Sequence, residues 1–337
     1  MKKLITTLTL LAFAGIAQAQ TLKIATLTPE NSQWMKDMKA SAAEIKERTD
    51  GRVKIRYYGG GVMGDDKTVL AKMTLGSLAG GAFTPVSLSS QYPELNLYGL
   101  PLVFNSEAEA AFVRETLDAK LEKGLKEAGF ENFGFAAGGF AILMSNEPID
   151  SLDDMKGKRV WVPEGDSISY ASMEAVNLSP VTLPVTDVLT GLQTGLIDVV
   201  AMSPIGALVF QWHTKVKYVT EIPLVYTLGF MAVSNKQFDR LKPDDQAVVR
   251  EVMRRTYENF NVQNLKDNAA ARETLLSSRT GIQTVEFDQA EYDRIRNVML
   301  ASNRQLGVKG EFSVEMYDEM MELVGSFRNG AGQAASE

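Results

Sequence analysis

Residues 22–75 read LKIATLTPENSQWMKDMKASAAEIKERTDGRVKIRYYGGGVMGDDKTVLAKMTL. Leu22–Leu27 has the composition of a strand. Ser32 then opens an amphipathic helix in which Trp34, Met38, Ala42 and Ile45 recur at helical spacing, and Asp50-Gly51 stops it. Val53–Tyr58 alternates apolar with basic residues and reads as a second strand. Gly59-Gly60-Gly61 follows it, and a helix runs from Asp66 to Leu75. Strand, helix, strand, helix in that order predicts an α/β fold with a largely parallel sheet.

Further along, Gly80-Gly81-Ala82-Phe83 reads as a strand. Ser106-x-x-Glu109 is a capping box for a helix through Phe112, Val113, Leu117, Leu121 and Leu125, ended by Gly129. Strands are expected at Phe133–Ala137, Phe140–Ser145, Val160–Val162 and Ile197–Met202. A helix is expected through Met173, and another over Asp187–Thr194 with Gly195 as its C-terminal cap. From Asp244 to Thr280 there is no Gly or Pro, and Val248, Val249, Val252, Met253, Tyr257 and Phe260 keep helical spacing. As one helix this segment is about 55 Å long, whereas a domain of ~130 residues is about 30 Å across, so the helix would span two domains. The alternative is two shorter helices broken near Asn259–Asn264. Ser145-Asn146 and Ser234-Asn235 each follow an apolar strand, with Asp and Leu at matching offsets beyond, as two crossovers between domains would.

Composition narrows the function. The chain has 337 residues, 35 Lys+Arg against 42 Asp+Glu, no Cys and one His, His213. An acidic chain without a basic block is a poor nucleic-acid ligand. Without Cys there is no disulfide, thiolate metal site or lipid anchor, and one His is too few for the usual zinc enzyme. Met1-Lys2-Lys3, the apolar run Leu4–Ile16 and Ala17-Gln18-Ala19 form a signal-peptide pattern, with cleavage expected after Ala19. The mature chain is then soluble, periplasmic and about -9 in charge. Asn329–Glu337, small and polar, is expected to fray.

Chemistry-bearing motifs are sparse. Gly59-Gly60-Gly61 lacks the context of a phosphate loop, and a tight turn is the simpler account. Asp65-Asp66, Asp153-Asp154 and Asp244-Asp245 sit at helix starts, where carboxylates cap. His213 has no G-x-S-x-G partner, and serves either as a pocket hydrogen bonder or as a core histidine. Trp34, Trp161 and Trp212 fall near strand ends or a helix start, the ends that face the ligand crevice in open α/β sheets. A core role is the alternative for each.

Several ordered segments resemble TRAP-transporter solute receptors of the DctP type. They are Tyr58–Asp66, Leu75-Gly76-Ser77-Leu78, Leu100-Pro101-Leu102-Val103-Phe104, Asp153–Pro163 (DDMKGKRVWVP) and Asp187–Asp198 (DVLTGLQTGLID). The resemblance implies a two-domain periplasmic binding protein fold with a long helix spanning both domains. The expected boundaries are 20–140 with 228–262, and 141–227 with 263–328. It implies a receptor, not an enzyme, that captures a small organic molecule and delivers it to TRAP permease membrane subunits. No cofactor or metal is expected, and the chain is expected to be a monomer.

The family's ligand-clamping Arg falls on Trp161, and a second falls on Ala141. Neither residue can grip a carboxylate as a guanidinium does. The expected pocket is therefore aromatic and neutral-polar: Thr84, Trp161, Ser203, Trp212 and His213, with Arg159 available to an acid group. The ligand is a monocarboxylate, a neutral molecule or a cation. Two other functions fit the sequence, a periplasmic hydrolase using His213 and a receptor docking on a membrane sensor.

Overall fold

The computed structural model describes residues 19–331, so residues 1–18 of the expected signal peptide and 332–337 of the expected tail lie outside the described residues. In chain order the elements are β1 (Gln20–Thr26), α1 (Gln33–Arg48), β2 (Val53–Tyr58), α2 (Asp66–Thr74), β3 (Gly80–Phe83), α3 (Glu107–Glu127), β4 (Phe130–Ser145), β5 (Val160–Pro163), α4 (Ser167–Ala175), β6 (Pro180–Leu183), α5 (Val188–Thr194), β7 (Val199–Met202), α6 (Pro204–Val209), β8 (Tyr218–Ser234), α7 (Asn235–Phe238), α8 (Pro243–Leu275), β9 (Gln283–Val285), α9 (Gln289–Val308) and α10 (Val314–Ser326).

Local chemistry accounts for the helix ends. Ser32 accepts from the Met35 N–H at the start of α1, and Ser106 from the Glu109 N–H at the start of α3. Gly195 closes α5 in the left-handed region, at φ 68°. The buried stripe of α3 is Ala110, Val113, Leu117, Leu121 and Leu125, the spacing that puts one face on the core. Each of those leucines, fully buried, contributes about 1.5–3 kcal/mol.

The strands form one sheet in the order β2-β1-β3-β8-β4-β7-β5-β6, with β9 beside β8. β1, β2 and β3 are mutually parallel, as are β5, β6 and β7. β4 and β8 run antiparallel to each other and join the two sets. They have 16 and 17 residues, about 50 Å at 3.3 Å per residue, more than one lobe needs. Each therefore crosses from one lobe to the other. Ser145 and Ser234 are the last residues of these two strands, one in each lobe, so the repeated Ser-Asn does mark two crossovers. The strands expected separately at 133–137 and 140–145 are one strand, β4, whose register against β8 shifts between Ala137 and Gly139.

α8 is a single helix of 33 residues, without the alternative break. Its Val249, Val252, Met253, Tyr257 and Phe260 lie in the large core of the first lobe, and Leu275 lies in a core of the second. α9 also crosses: Ile295 and Met299 pack in the second lobe and Leu306 in the first. α10 differs from the expected boundary, which gives 263–328 to the second domain. Its Tyr317, Met320 and Val324 join the first-lobe core, because α9 carries the chain back across. Phe327–Ala331 continues α10 as a wider turn in which Arg328 donates to the buried carboxylate of Glu109 at 2.5 Å. Among the described residues no helix is long and apolar enough to cross a membrane.

Candidate functional site

Strand direction locates the site. β3 runs Gly80→Phe83 along Val233→Phe230 of β8, so its C-terminal end points toward the middle of β8. β7 runs Val199→Met202 along Ser145→Ile142 of β4, so its C-terminal end points toward the middle of β4 from the other side. Both parallel sets thus aim their C-terminal ends at the same crossing region, where ligands bind in open α/β sheets. The facing segments are Gly59–Gly64 and Thr84–Ser87 in the first lobe, and Pro163–Asp166, Leu183–Thr186 and Ser203–Ile205 in the second. The lobes meet across this cleft: a Cβ on Gly61 would stand 3.3 Å from Thr186 Cγ2. Gly60 and Gly61 have φ of 63° and 71°, so Gly59-Gly60-Gly61 is a tight turn.

The floor of the cleft is built around Gly138 and Gly139. A Cβ at Gly138 would lie 2.4 Å from Thr227 Oγ1, so only glycine lets β8 approach there. The Thr227 hydroxyl donates to the Gly139 carbonyl at 2.6 Å. Three asparagines of α8 hold this part of β4. The Asn261 side chain accepts from the Ala137 N–H at 2.7 Å and donates to the Phe135 carbonyl at 3.1 Å. Asn264 donates to the Ala137 carbonyl at 2.7 Å, and its side-chain oxygen accepts the Trp34 indole N–H at 2.7 Å. Asn268 donates to the Gly138 carbonyl at 2.9 Å and accepts from the Ile205 N–H at 3.2 Å. Trp34 belongs to the first lobe and Ile205 to the second, so adjacent turns of α8 tie each lobe to the crossing strand.

Carboxyl groups gather at this cleft. The aspartate pair 65–66 divides its roles. Asp65 caps α2 by accepting from the Thr68 N–H at 2.8 Å, as expected. Asp66 instead accepts from the Ser87 hydroxyl, which stands 3.0 Å from Thr84 Oγ1. Burial raises the Asp66 carboxyl above the usual carboxylate range, against the lowering effect of Ser87. Glu107 is also raised by burial, while the Tyr226 hydroxyl opposes the rise, and its Oε2 is buried without a partner. Burial pushes the Tyr226 phenol up to about 12. Asp166, which caps α4, is buried and raised for the same reason. Arg114, in the crossing region, is occupied by Asp118 at 2.9 Å and Asn261 at 3.0 Å. The third aspartate pair also departs from capping, since Asp245 is 3% exposed and accepts from Arg52 at 2.9 Å.

The expected pocket residues separate into two groups. Thr84 and Ser203 end β3 and β7 at the cleft, and Ser203 makes no capping bond with its side chain. Trp161, Trp212 and Arg159 require correction. Trp161 is 6% exposed and Trp212 is 1% exposed. Their rings pack edge to face at 5.1 Å inside the second-lobe core, and the Trp161 indole N–H donates to the Leu183 carbonyl at 2.9 Å. Trp161 is mid-strand rather than at the strand end, so it is a core residue and not an open ligand wall. Arg159 precedes β5, at the end away from the cleft and about 13 Å from Pro163 at 3.3 Å per residue. Its guanidinium grips Asp198 through Nε and one Nη at 2.7 and 2.6 Å, on the side of the lobe away from the cleft. His213 Nδ1 donates to the Ala207 carbonyl at 3.1 Å, which ties the ring to α6.

Two α/β lobes, joined by long crossing strands and helices around a cleft, define the architecture of a two-domain solute-binding protein. The chain belongs to the bacterial extracellular solute-binding protein family 7 (DctP), whose model matches residues 24–307. Among solved structures it is similar to the sugar acid binding protein DctPAm of Advenella mimigardefordensis in complex with galactonate, at 20% identity and TM-score 0.83, covering 92% of this chain and 99% of that one. It is also similar to a TRAP periplasmic solute binding protein of Xanthobacter autotrophicus with bound β-D-galacturonate, at 19% identity and TM-score 0.81, covering 90% and 98%. The C4-dicarboxylate-binding periplasmic protein DctP of Rhodobacter capsulatus is 24% identical over 305 residues, 88% of this chain and 85% of that protein. The sialic acid-binding periplasmic protein SiaP of Vibrio cholerae is 26% identical over 197 residues, 57% of this chain. The aligned stretch spans 60% of the Vibrio protein and 62% of a Haemophilus influenzae relative.

Proposed function

We propose that this protein is a periplasmic solute receptor: it captures a small organic molecule between its lobes and delivers it to a TRAP-type membrane permease. The observation that carries this reading is the convergence of both sets of strand C-terminal ends on one cleft, floored by a few crossing segments. The ligand is neutral or bears an amine, or is a monocarboxylate held by backbone N–H groups. Trp161 and Ala141 stand where arginines are expected, Arg159 is committed to Asp198, and the cleft carries the carboxyls of Asp66 and Glu107. A C4-dicarboxylate would lose its water there without a fixed cation in return, which costs several kcal/mol.

A thermal-shift screen of the chain lacking residues 1–19 tests this, using polyols, amines, monocarboxylates and C4-dicarboxylates. A ligand at 100 times its dissociation constant adds about 2.7 kcal/mol of stability. Succinate or malate giving the largest shift would overturn the assigned ligand class. Small-angle scattering should show a smaller radius of gyration at saturation, because two lobes on a hinge close around ligand. Unchanged compactness would count against the receptor. Hydrolysis of an ester, amide or phosphate that vanishes in His213→Gln would revive the hydrolase.

A further inference from the structure

A second concave surface lies on the first lobe, away from the cleft. It is a groove of about 580 Å³ between α1 and the outer edge of β2, lined by Lys39, Ala42, Lys46, Lys54, Arg56 and Tyr57 among others. β2 ends the sheet and, among the described residues, pairs only with β1, so no described strand lies beside its outer edge. The Val53 N–H is satisfied by Thr49 Oγ1 at 3.1 Å, which closes the start of that edge and leaves Lys54–Tyr57 open. The opposite edge is blunted differently, since β6 begins with Pro180 and is followed by Pro184. Open edges are commonly covered or charged against unwanted pairing. Here the charges do more than repel, because they line both walls of a groove.

Lys39, Ala43 and Lys46 recur at helical spacing along α1 and form one wall, and Lys54 and Arg56 are exposed on the other. Ala42 and Ala43 also line the groove on the α1 side. Lys39 is paired with Glu30 at 2.5 Å, but among the described residues Lys46, Lys54 and Arg56 pair with no carboxylate. Arg56 is held over the Tyr58 ring, with 4.9 Å from Cζ to the ring centroid, which keeps its guanidinium beside the edge. On a chain of net charge -7, this places three unpaired cations around an open strand edge.

We infer that this groove docks an extended acidic polypeptide segment of a partner protein, which pairs as an added strand on the outer edge of β2. Main-chain hydrogen bonds to the edge supply the affinity and the lysines and arginine select the acidic side chains, as in other strand-addition sites. The inference does not rest on the receptor reading or on the identity of the ligand.

The test uses the chain lacking residues 1–19 and a fluorescein-labelled peptide of about eight residues alternating threonine and glutamate, at low ionic strength, where charge contacts are least screened. Binding is expected, with slowed amide exchange at Ile55 and Tyr57. The combined substitution Lys46→Glu, Lys54→Glu, Arg56→Glu should weaken binding at least tenfold. A peptide of equal charge with proline in place of threonine should also bind the unsubstituted protein at least tenfold more weakly, since proline cannot donate to the edge. That comparison and the exchange measurement need no variant, so they hold even if the triple substitution fails to fold. The proposal is overturned if the peptide does not bind, if the triple variant binds it equally well, or if the proline peptide binds as well as the threonine one. It is also overturned if phosphatidylglycerol vesicles bind the groove in preference to the peptide.

Discussion

Asn264 is the joint at which α8, α1 and the crossing strand β4 are tied together, and its replacement by leucine is a quantitative test of that joint. The residue is 5% exposed. Its amide donates to the Ala137 carbonyl at 2.7 Å, and its oxygen accepts the Trp34 indole N–H at 2.7 Å. Leucine keeps the volume and removes both bonds. Ala137 is 4% exposed, so its carbonyl is left buried without that partner, a loss of about 1–3 kcal/mol. Trp34 is half-buried and water can reach its indole, so that bond accounts for about 0.5–1.5 kcal/mol. Asn264→Leu should therefore destabilise by about 1.5–4.5 kcal/mol, read in urea as a lower midpoint at unchanged slope. Trp34→Phe leaves the buried Asn264 oxygen without its donor, a loss of about 1–3 kcal/mol. In the double variant the indole bond is counted once, so the two effects should fall short of additivity by at least about 0.5 kcal/mol, as expected for residues in contact. A loss below 0.5 kcal/mol in Asn264→Leu, or strict additivity with Trp34→Phe, would refute the idea that this joint supports the crossing strand.

Asp66→Asn should flatten the dependence of stability on pH. A carboxyl raised by burial binds its proton more tightly folded than unfolded, so its contribution is most favourable at low pH and is lost as pH rises through the folded value. Thermal midpoints from pH 4 to 8 should show the asparagine variant gaining on the wild type toward neutral pH; an equal gap at every pH would refute this. Trp161→Ala should cost about 3–5 kcal/mol in urea unfolding, as removal of a buried aromatic does. A loss under 1 kcal/mol would mean that the indole is not core. Arg159→Ala should leave the affinity for the ligand found in the screen unchanged, since its guanidinium is held by Asp198 away from the cleft. A tenfold weakening by calorimetry would return it to the site.

Much of the architecture can be read from local patterns, because helix and strand periods depend on the order of apolar and polar residues along a short segment. The caps at Ser32, Ser106 and Gly195 and the unbroken run of α8 are of this kind. So is the repeated Ser-Asn, which marks the far ends of the two crossing strands. The cleft-end positions of Thr84 and Ser203 also follow from strand direction alone. What a residue faces is different, because it depends on partners distant in the chain. Trp161 is turned inward by the pairing of β5 with β6 and β7 and by the packing of Trp212 from a segment some fifty residues on. Arg159 is claimed by Asp198, and Asp66 by Ser87, neither of which a local pattern signals. The first half of β8 escapes a local reading because Glu221, Pro223 and Thr227 interrupt its apolar run, yet β4 pairs along its length. The asparagines of α8 read as weak helix formers until β4 is laid beside them. Composition and period are properties of the chain, and they decide which elements form. Burial, the pairing of charges and the cleft itself are properties of surfaces brought together, and only the tertiary structure decides them.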